Sequence, residues 1–384
     1  MKILQTIAGF GAKSGGTSTC TYDLIKALVQ NNTTVELLTP TVYNLSDKLM
    51  GEGEEWIKVV DNDYITPYGL SKNMKDFIVD SDYDLYHTNG LWMYCNHITC
   101  SCARKKNKPY IITPHGMLYP DALKRSYWKK WPLLKLYFEK DILEASCLHV
   151  TCKPELEYVR RFGYKGPVAL IGNPANLPSY INELSGRNED TPISTFGFLG
   201  RLHPIKKVEN LIYGINKCTP ESRRRIRLVI MGKGDNSYEQ FLRHETQRLD
   251  LVKNVEFKGF VNGRDKFEQL SKLSALFVPS DFENFGMIVT EALACKTPVF
   301  ASLGTPWEEL NVRKCGWWMD RTPENIASVM MNVSSMSKED IDAMGNSGQQ
   351  LVFEKYEASK VAIKMKRLYE WIVYGGIKPE FVYE

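Results

Sequence analysis

Residues 2–39 constrain the fold more than any other stretch. An apolar run, KILQTIA, passes through the glycine-rich GFGAKSGGTS into a helical pattern carried by Leu24, Ala27 and Leu28, and a second apolar run, VELLT, follows at 35–39. Strand, glycine-rich turn, helix and strand make a right-handed βαβ unit. Such a unit places the turn at the carboxyl edge of a parallel sheet, where these sheets bind ligands. The alternation continues with DLYHT at 84–88, YIITPHG at 110–116 and LHVTC at 148–152. From Ile171 to Ser194 the chain is rich in Asn, Pro, Ser and charge, without a period, and reads as a linker. TFGFLGRL at 195–202 restarts the alternation, followed by RLVIMGKGD, NVEFKGFV, ALFVPS and TPVFAS. The expected class is therefore α/β, with two Rossmann-like doubly wound domains, 1–180 and 190–364. A last helical pattern around Lys360 to Val373 leads into the tail, and the stretch of about 365–384 is expected to pack back on the first domain.

Bulk properties exclude several classes. At 384 residues the chain exceeds what one hydrophobic core usually serves. Its 49 basic and 45 acidic residues leave a formal charge of +4, too balanced to point to nucleic acid as a partner. The N-terminus reads as a strand rather than a signal peptide, and no run of about 18 apolar residues is present. A cytoplasmic location is expected, with any membrane contact peripheral. Nine cysteines, an odd count, fit reduced thiols better than a disulfide framework. Cys95, His97, Cys100 and Cys102 lie close together but match no zinc spacing, and read as buried thiols along one segment. The strings DND at 61–63 and DSD at 80–82 read as turn chemistry rather than as metal sites.

Several residues have the chemistry to meet a phosphorylated sugar. In GRLHPIKK, Arg201 and Lys206 follow a strand end, where two cations can stabilise the charge growing on a diphosphate leaving group. In ENFGMIVTE, Glu283 and Glu291 lie eight positions apart, and Gly286 suggests a loop before the helix. One carboxylate can hold sugar hydroxyls and the other a ribose, while the backbone N–H groups of Asn284, Phe285, Gly286 and Met287 form an anion-binding helix start. Gly232 in MGKGD and Val261 in GFV sit at strand ends where a ligand can approach the backbone. Gly15 and Gly16 in KSGGTS can cradle phosphate, although the dinucleotide fingerprint G-x-G-x-x-G is absent. His115, in TPHGML, follows a strand and can donate or accept at neutral pH. Each feature alone also has a plain reading as a basic turn, a solvated helix face or a tight βα connection.

Taken in order, KSGGTS, DLYHTNGLW, TPHGML, GFLGRLHPIKK, VIMGKGD, EFKGFV and ENFGMIVTE resemble family 4 of the retaining glycosyltransferases over nearly the whole chain. The resemblance implies a GT-B fold, two Rossmann-like domains facing a central cleft. It also implies transfer of a hexose or N-acetylhexosamine from a nucleotide-diphosphate sugar to a saccharide or lipid-linked acceptor in bacterial polysaccharide or glycolipid assembly. A UDP-sugar is favoured, and a GDP-mannose donor is the alternative. By the same resemblance Arg201 and Lys206 bind the donor phosphates, Glu283 the sugar hydroxyls and Glu291 the ribose. His115 lies near the transferred sugar, and Gly15 and Gly16 face the diphosphate. The family retains anomeric configuration without an enzymic nucleophile, a cofactor or a metal. Two departures stand out: Lys207 follows Lys206 where the family usually has glycine, and Asn284 stands where many members have glycine. An epimerase or phosphorylase of the same fold is the rival enzyme class, and a carbohydrate-binding protein the non-enzymic one.

The segment 121–140 combines Lys124, Arg125, Lys129, Lys130 and Lys135 with Tyr127, Trp128, Trp131 and Phe138. Tyr127, Trp131, Leu134 and Phe138 follow helical spacing, and Pro132 is expected to break or restart the helix. Two readings stay open: a basic amphipathic face for an anionic membrane, or a helix whose aromatic stripe is core.

Overall fold

A computed structural model describes every residue except 12–14, 42–47, 62–65, 67 and 188–192. The chain forms two compact units, Met1–Asn176 together with Ala358–Glu384, and Leu177–Glu357. The return to the first unit thus begins at Ala358, ahead of the expected 365.

The first unit holds an eight-stranded sheet. Its strands are β1 (Lys2–Ile7), β2 (Thr34–Pro40), β3 (Ile57–Val60), β4 (Leu85–Asn89), β5 (Tyr110–Thr113), β6 (Cys147–Val150), β7 (Val168–Leu170) and, from the far end of the chain, β14 (Val382–Tyr383). They lie in the order β14-β7-β6-β5-β4-β1-β2-β3. All pair in parallel except β14, which runs antiparallel to β7 with Val382 opposite Ala169. The second unit holds β8 (Ser194–Leu199), β9 (Ile226–Met231), β10 (Val255–Gly259), β11 (Ala275–Val278), β12 (Val299–Ser302) and β13 (Gly316–Met319). Their order is β10-β9-β8-β11-β12-β13, parallel throughout.

Helices cover both faces of each sheet, so central strands are buried at nearly every position instead of alternating; LYHTN in β4, ALFV in β11 and VFAS in β12 are buried throughout. In each unit three strands wind outward one way, and the rest wind the other way from the centre. The reversal lies between β1 and β4 in the first unit and between β8 and β11 in the second. Ligands of open parallel sheets bind beyond the carboxyl ends of the strands at such a reversal.

The helix Ala358–Tyr374 places Val361, Ala362, Met365, Leu368 and Tyr369 along one face. That stripe joins Ile3, Leu24, Ile25 and Leu28 in one core. Burial of each larger apolar side chain contributes about 1.5–3 kcal/mol.

Around 121–140 the outcome differs from both simple readings. The helix Tyr127–Leu133 continues through Pro132, then widens into a π turn over Leu134–Phe138. The hydrogen bond that Pro132 cannot make, and the crowding by its ring, fall on the Trp128 carbonyl in the first turn, and the helix is not ended there. Phe138 is buried, whereas Tyr127, Trp131 and Leu136 are exposed and Trp128 is 87% exposed. The aromatic stripe is therefore core only at its end.

Candidate active site

The loops leaving β8 and β11, the two strands that flank the reversal in the second unit, carry the principal charged candidates. They are tied together where the Asp281 N–H donates to the Ile205 carbonyl at 2.7 Å. Lys206 Nζ ion-pairs with Glu283 Oε1, which also accepts from the Ser280 hydroxyl at 2.8 Å. The Glu283 backbone N–H donates to Gly304 O at 3.0 Å. Both charged side chains are largely enclosed, 20% and 15% exposed, so the pair is less screened by water than a surface ion pair and its geometry is held. Lys207 faces away from Glu283: its Nζ lies 3.5 Å from Asp281, which Arg321 also meets, and 3.9 Å from Glu209. The structure thus directs Lys206, not Lys207, to the glutamate. Lys207 has φ 51°, a left-handed conformation that suits glycine. Arg201 is exposed just past β8 and makes no ion pair among the described residues.

Glu283 and Glu291 do not share a helix. The helix Met287–Ala294 begins after Gly286, which caps it at φ 79°, so Glu283 stays in the loop and Glu291 lies in the second turn, 2.8 Å from Lys266 Nζ. The N–H groups at the start of that helix have no helical acceptor and carry the positive end of its dipole. Asn284, Phe285, Gly286 and Met287 line that start, but the Phe285 side chain is turned inward. Its ring packs against Trp307 and Tyr356 at 5.2 and 5.5 Å, and its carbonyl accepts from the Trp307 indole at 2.5 Å. Phe285 therefore anchors the loop. Val261 is buried between exposed Phe260 and the helix Gly263–Ser271. Gly232 follows β9 at φ 140°, and a Cβ there would lie 1.9 Å from the Gly200 carbonyl oxygen. Only glycine lets the two loops cross so closely.

In the first unit, Gly15 (φ 90°) precedes the helix Gly16–Gln30 and is exposed, while Lys13 and Ser14 of the same motif lie outside the described residues. His115 follows β5 in a left-handed conformation, φ 51°, and its Nε2 lies 3.3 Å from Asn89 Oδ1 at the end of β4. Burial, with a smaller contribution from His149, pushes the His115 imidazole down to about 3. The ring is therefore neutral at physiological pH, with one donor and one acceptor nitrogen. Its loop is fixed by Glu155, fully buried, whose carboxylate accepts from the N–H of Gly116 at 2.5 Å and of Thr151 at 2.9 Å.

Sequence reasoning missed Glu155, Ser280, Asp281, Lys266 and Trp307. A carboxylate at the third residue of KPEL, directly after β6, is a readable helix-start feature. Ser280 and Asp281 adjoin the ALFVP strand. Nothing local marks Trp307. Among the described residues, no group of three or more His, Cys, Asp or Glu could hold a metal. Cys95, Cys100 and Cys102 are buried, and burial pushes the Cys95 thiol up to about 12. His97 instead meets Asp141 at 2.7 Å, which Arg104 holds at 2.6 Å. Of the two Asp-x-Asp strings, Asp80 closes the helix Lys72–Asp80 and Asp82 pairs with Lys108, while Asn62 and Asp63 lie outside the described residues.

Residues 14–177 match the family described as Glycosyltransferase Family 4, and residues 183–351 match Glycosyl transferases group 1. Anabaena Alr3699/HepE, solved in complex with UDP and glucose, superposes with a TM-score of 0.71 at 18% identity, over 96% of this chain and 99% of that one. Sucrose-phosphate synthase from Thermosynechococcus elongatus gives 0.74 at 19% identity, over 98% and 100%. The chain has the GT-B fold of these structures, and each of its two halves matches a glycosyltransferase family. An uncharacterized glycosyltransferase of Methanocaldococcus jannaschii is 31% identical over 177 residues, 45% of this GT-B chain, and the match spans 44% of that relative's length. The group 1 match contains Arg201, Lys206, Glu283 and Glu291, and the family 4 match contains Gly15, Gly16 and His115.

Proposed function

We propose that the protein is a retaining, metal-independent glycosyltransferase of family 4. It moves a hexose or N-acetylhexosamine from a UDP-sugar to a saccharide or lipid-linked acceptor in bacterial polysaccharide or glycolipid assembly. The observation that carries the reading is the Lys206, Ser280 and Glu283 constellation at the strand-order reversal of the second sheet. Arg201 and Lys206 meet the diphosphate oxygens, Glu283 accepts from sugar hydroxyls and Glu291 from ribose hydroxyls. As the bond from the anomeric carbon to the diphosphate breaks, negative charge moves onto the leaving phosphate, and the two cations stabilise it more than the ground state. The acceptor oxygen bonds to the same face of the anomeric carbon, and its proton passes to the departing phosphate. No protein nucleophile enters the scheme. The UDP bound to the Anabaena protein favours a uridine nucleotide over GDP.

A thermal-shift series with UDP, GDP, ADP and TDP tests the donor class, because a ligand bound only by the native state raises apparent stability. UDP alone is expected to raise Tm, and Arg201→Ala is expected to weaken UDP at least about tenfold, the scale of one charge-assisted hydrogen bond. Stabilisation by GDP alone turns the reading to the mannosyl donor. Unchanged UDP affinity in Arg201→Ala removes that residue from the phosphate site.

The acceptor side draws support from the exposed apolar groups of 121–140. Trp128 and Leu136, 87% and 69% exposed, stand among Lys124, Arg125 and Lys129. No helix of the described residues is long and apolar enough to cross a membrane. Basic charge with interfacial tryptophan instead suits peripheral contact with anionic lipid, where a lipid-linked acceptor resides. Co-sedimentation with phosphatidylglycerol vesicles is expected to fall about tenfold or more in Trp128→Ala/Leu136→Ala. Equal binding by the variant rules out this face as the contact.

A further inference from the structure

A continuous series of polar side chains runs through the first unit from Ile171 to His115, and its hydrogen-bond polarity is fixed by groups that can only accept. The Ile171 carbonyl takes Nε2–H of His149 at 2.8 Å, which leaves His149 Nδ1 to accept the Thr113 hydroxyl at 2.9 Å. With its proton committed, Thr113 Oγ1 accepts Nε2–H of His87 at 2.7 Å, and His87 Nδ1 then accepts the Tyr369 hydroxyl at 2.7 Å. With its proton given to His87, the Tyr369 oxygen can only accept from Gln5 Nε2, at 3.0 Å, so Gln5 Oε1 faces Asn89 Nδ2 at 2.9 Å. The Thr6 carbonyl, 3.5 Å from the same Nδ2, favours this orientation but at that length does not hold the amide alone. The two half-series meet at Tyr369, whose hydroxyl accepts from one and donates to the other; a phenylalanine could do neither. Asn89 then presents Oδ1 to His115, and that oxygen can only accept, so His115 carries its proton on Nε2.

Burial keeps the members neutral. His87 is pushed well below the usual imidazole range, His149 to about 4 and His115 to about 3, so none takes the second proton that would reverse a link near neutral pH. Tyr369 and His87 are both fully buried.

We propose that Tyr369, on the C-terminal helix, is a positioning residue that sets the tautomer of His115 through this series and leaves the Nδ1 lone pair of His115 ready to accept a substrate hydroxyl. The second half rests on the reading of His115 as a sugar contact; the first half does not.

Imidazole nitrogen NMR on histidine-labelled full-length protein at pH 7.5 tests the two halves apart. In the unaltered protein His115 is expected to show one neutral form with Nε2 protonated, and an Nδ1-protonated form overturns the proposal without any variant. In Tyr369→Phe, Gln5 Nε2 loses its acceptor, the Gln5 and Asn89 amides are released to reverse, and the His115 signals are expected to become a mixture of tautomers. Turnover is expected to fall about fivefold, the scale of one buried hydrogen bond, with donor KM within about twofold. Tyr164→Phe is the control: its hydroxyl donates to Ala145 O at 2.9 Å in the same unit but outside the series, so it costs stability without moving the His115 signals. Unchanged His115 signals in Tyr369→Phe overturn the proposal. A tautomer mixture with unchanged turnover supports the positioning and instead removes His115 from the sugar site.

Discussion

Replacement of Glu283 by alanine is expected to lower sugar transfer by about 10²- to 10³-fold, the scale of losing one preorganised contact to the reacting centre. Affinity for free UDP should be retained or should rise. The direction follows from the ion pair: Glu283 holds Lys206 Nζ, so its removal releases a cation toward the diphosphate while deleting the acceptor for sugar hydroxyls. Glu283→Gln keeps hydrogen-bonding capacity without charge and should fall between the two. Steady-state kinetics beside calorimetric UDP binding checks the split. Parallel loss of turnover and UDP affinity would mean that the carboxylate serves only to aim Lys206, and the sugar-contact assignment would fail.

The second large effect is structural. Gly232→Ala places a methyl group where a Cβ would sit 1.9 Å from the Gly200 carbonyl oxygen, at a φ of 140° that side chains rarely adopt. Backbone cannot yield as a flexible side chain can, so the substitution should cost on the order of 3 kcal/mol. For a domain of this size that lowers Tm by roughly 6–12 °C in scanning calorimetry. The loops can relieve the clash only by parting. Because Arg201 follows Gly200 directly, UDP binding should weaken at the same time. A variant with unaltered Tm would show that the close crossing places no demand on the fold.

Much of this fold is legible in the sequence because parallel strands buried on both faces announce themselves as short apolar runs, each followed by turn chemistry. The strands that escape notice do so for physical reasons. Val168–Leu170 is only three residues long, Ile57–Val60 is an edge strand with mixed burial, and Val382–Tyr383 pairs with a partner more than two hundred positions away. The candidate site divides in the same way. Arg201, Lys206, Glu283 and Glu291 stand at strand ends or helix starts, which local pattern locates. The division of the two glutamates into loop and helix is legible from Gly286, which adopts the left-handed conformation that starts the helix. Sequence could not show which lysine turns toward Glu283, since that depends on the left-handed backbone at Lys207. Trp307 and Glu155 act through contacts 22 and 39 positions away, which no local window contains.

The discontinuity of the first unit has a consequence for synthesis. Leu177–Glu357 is one uninterrupted stretch, whereas the core around Ile3, Leu24 and Leu28 is closed by Val361, Met365 and Leu368 near the end of the chain. Gln5 and Tyr369 meet across 364 positions, so the N-terminal half leaves the ribosome long before its last wall exists. During that interval an apolar face stands open to water and to chaperones, and the contiguous second unit is free to close first. The helix that completes the hydrophobic core of the first unit is the same one that supplies the hydroxyl at the centre of its polar series, so the two are finished in a single late step.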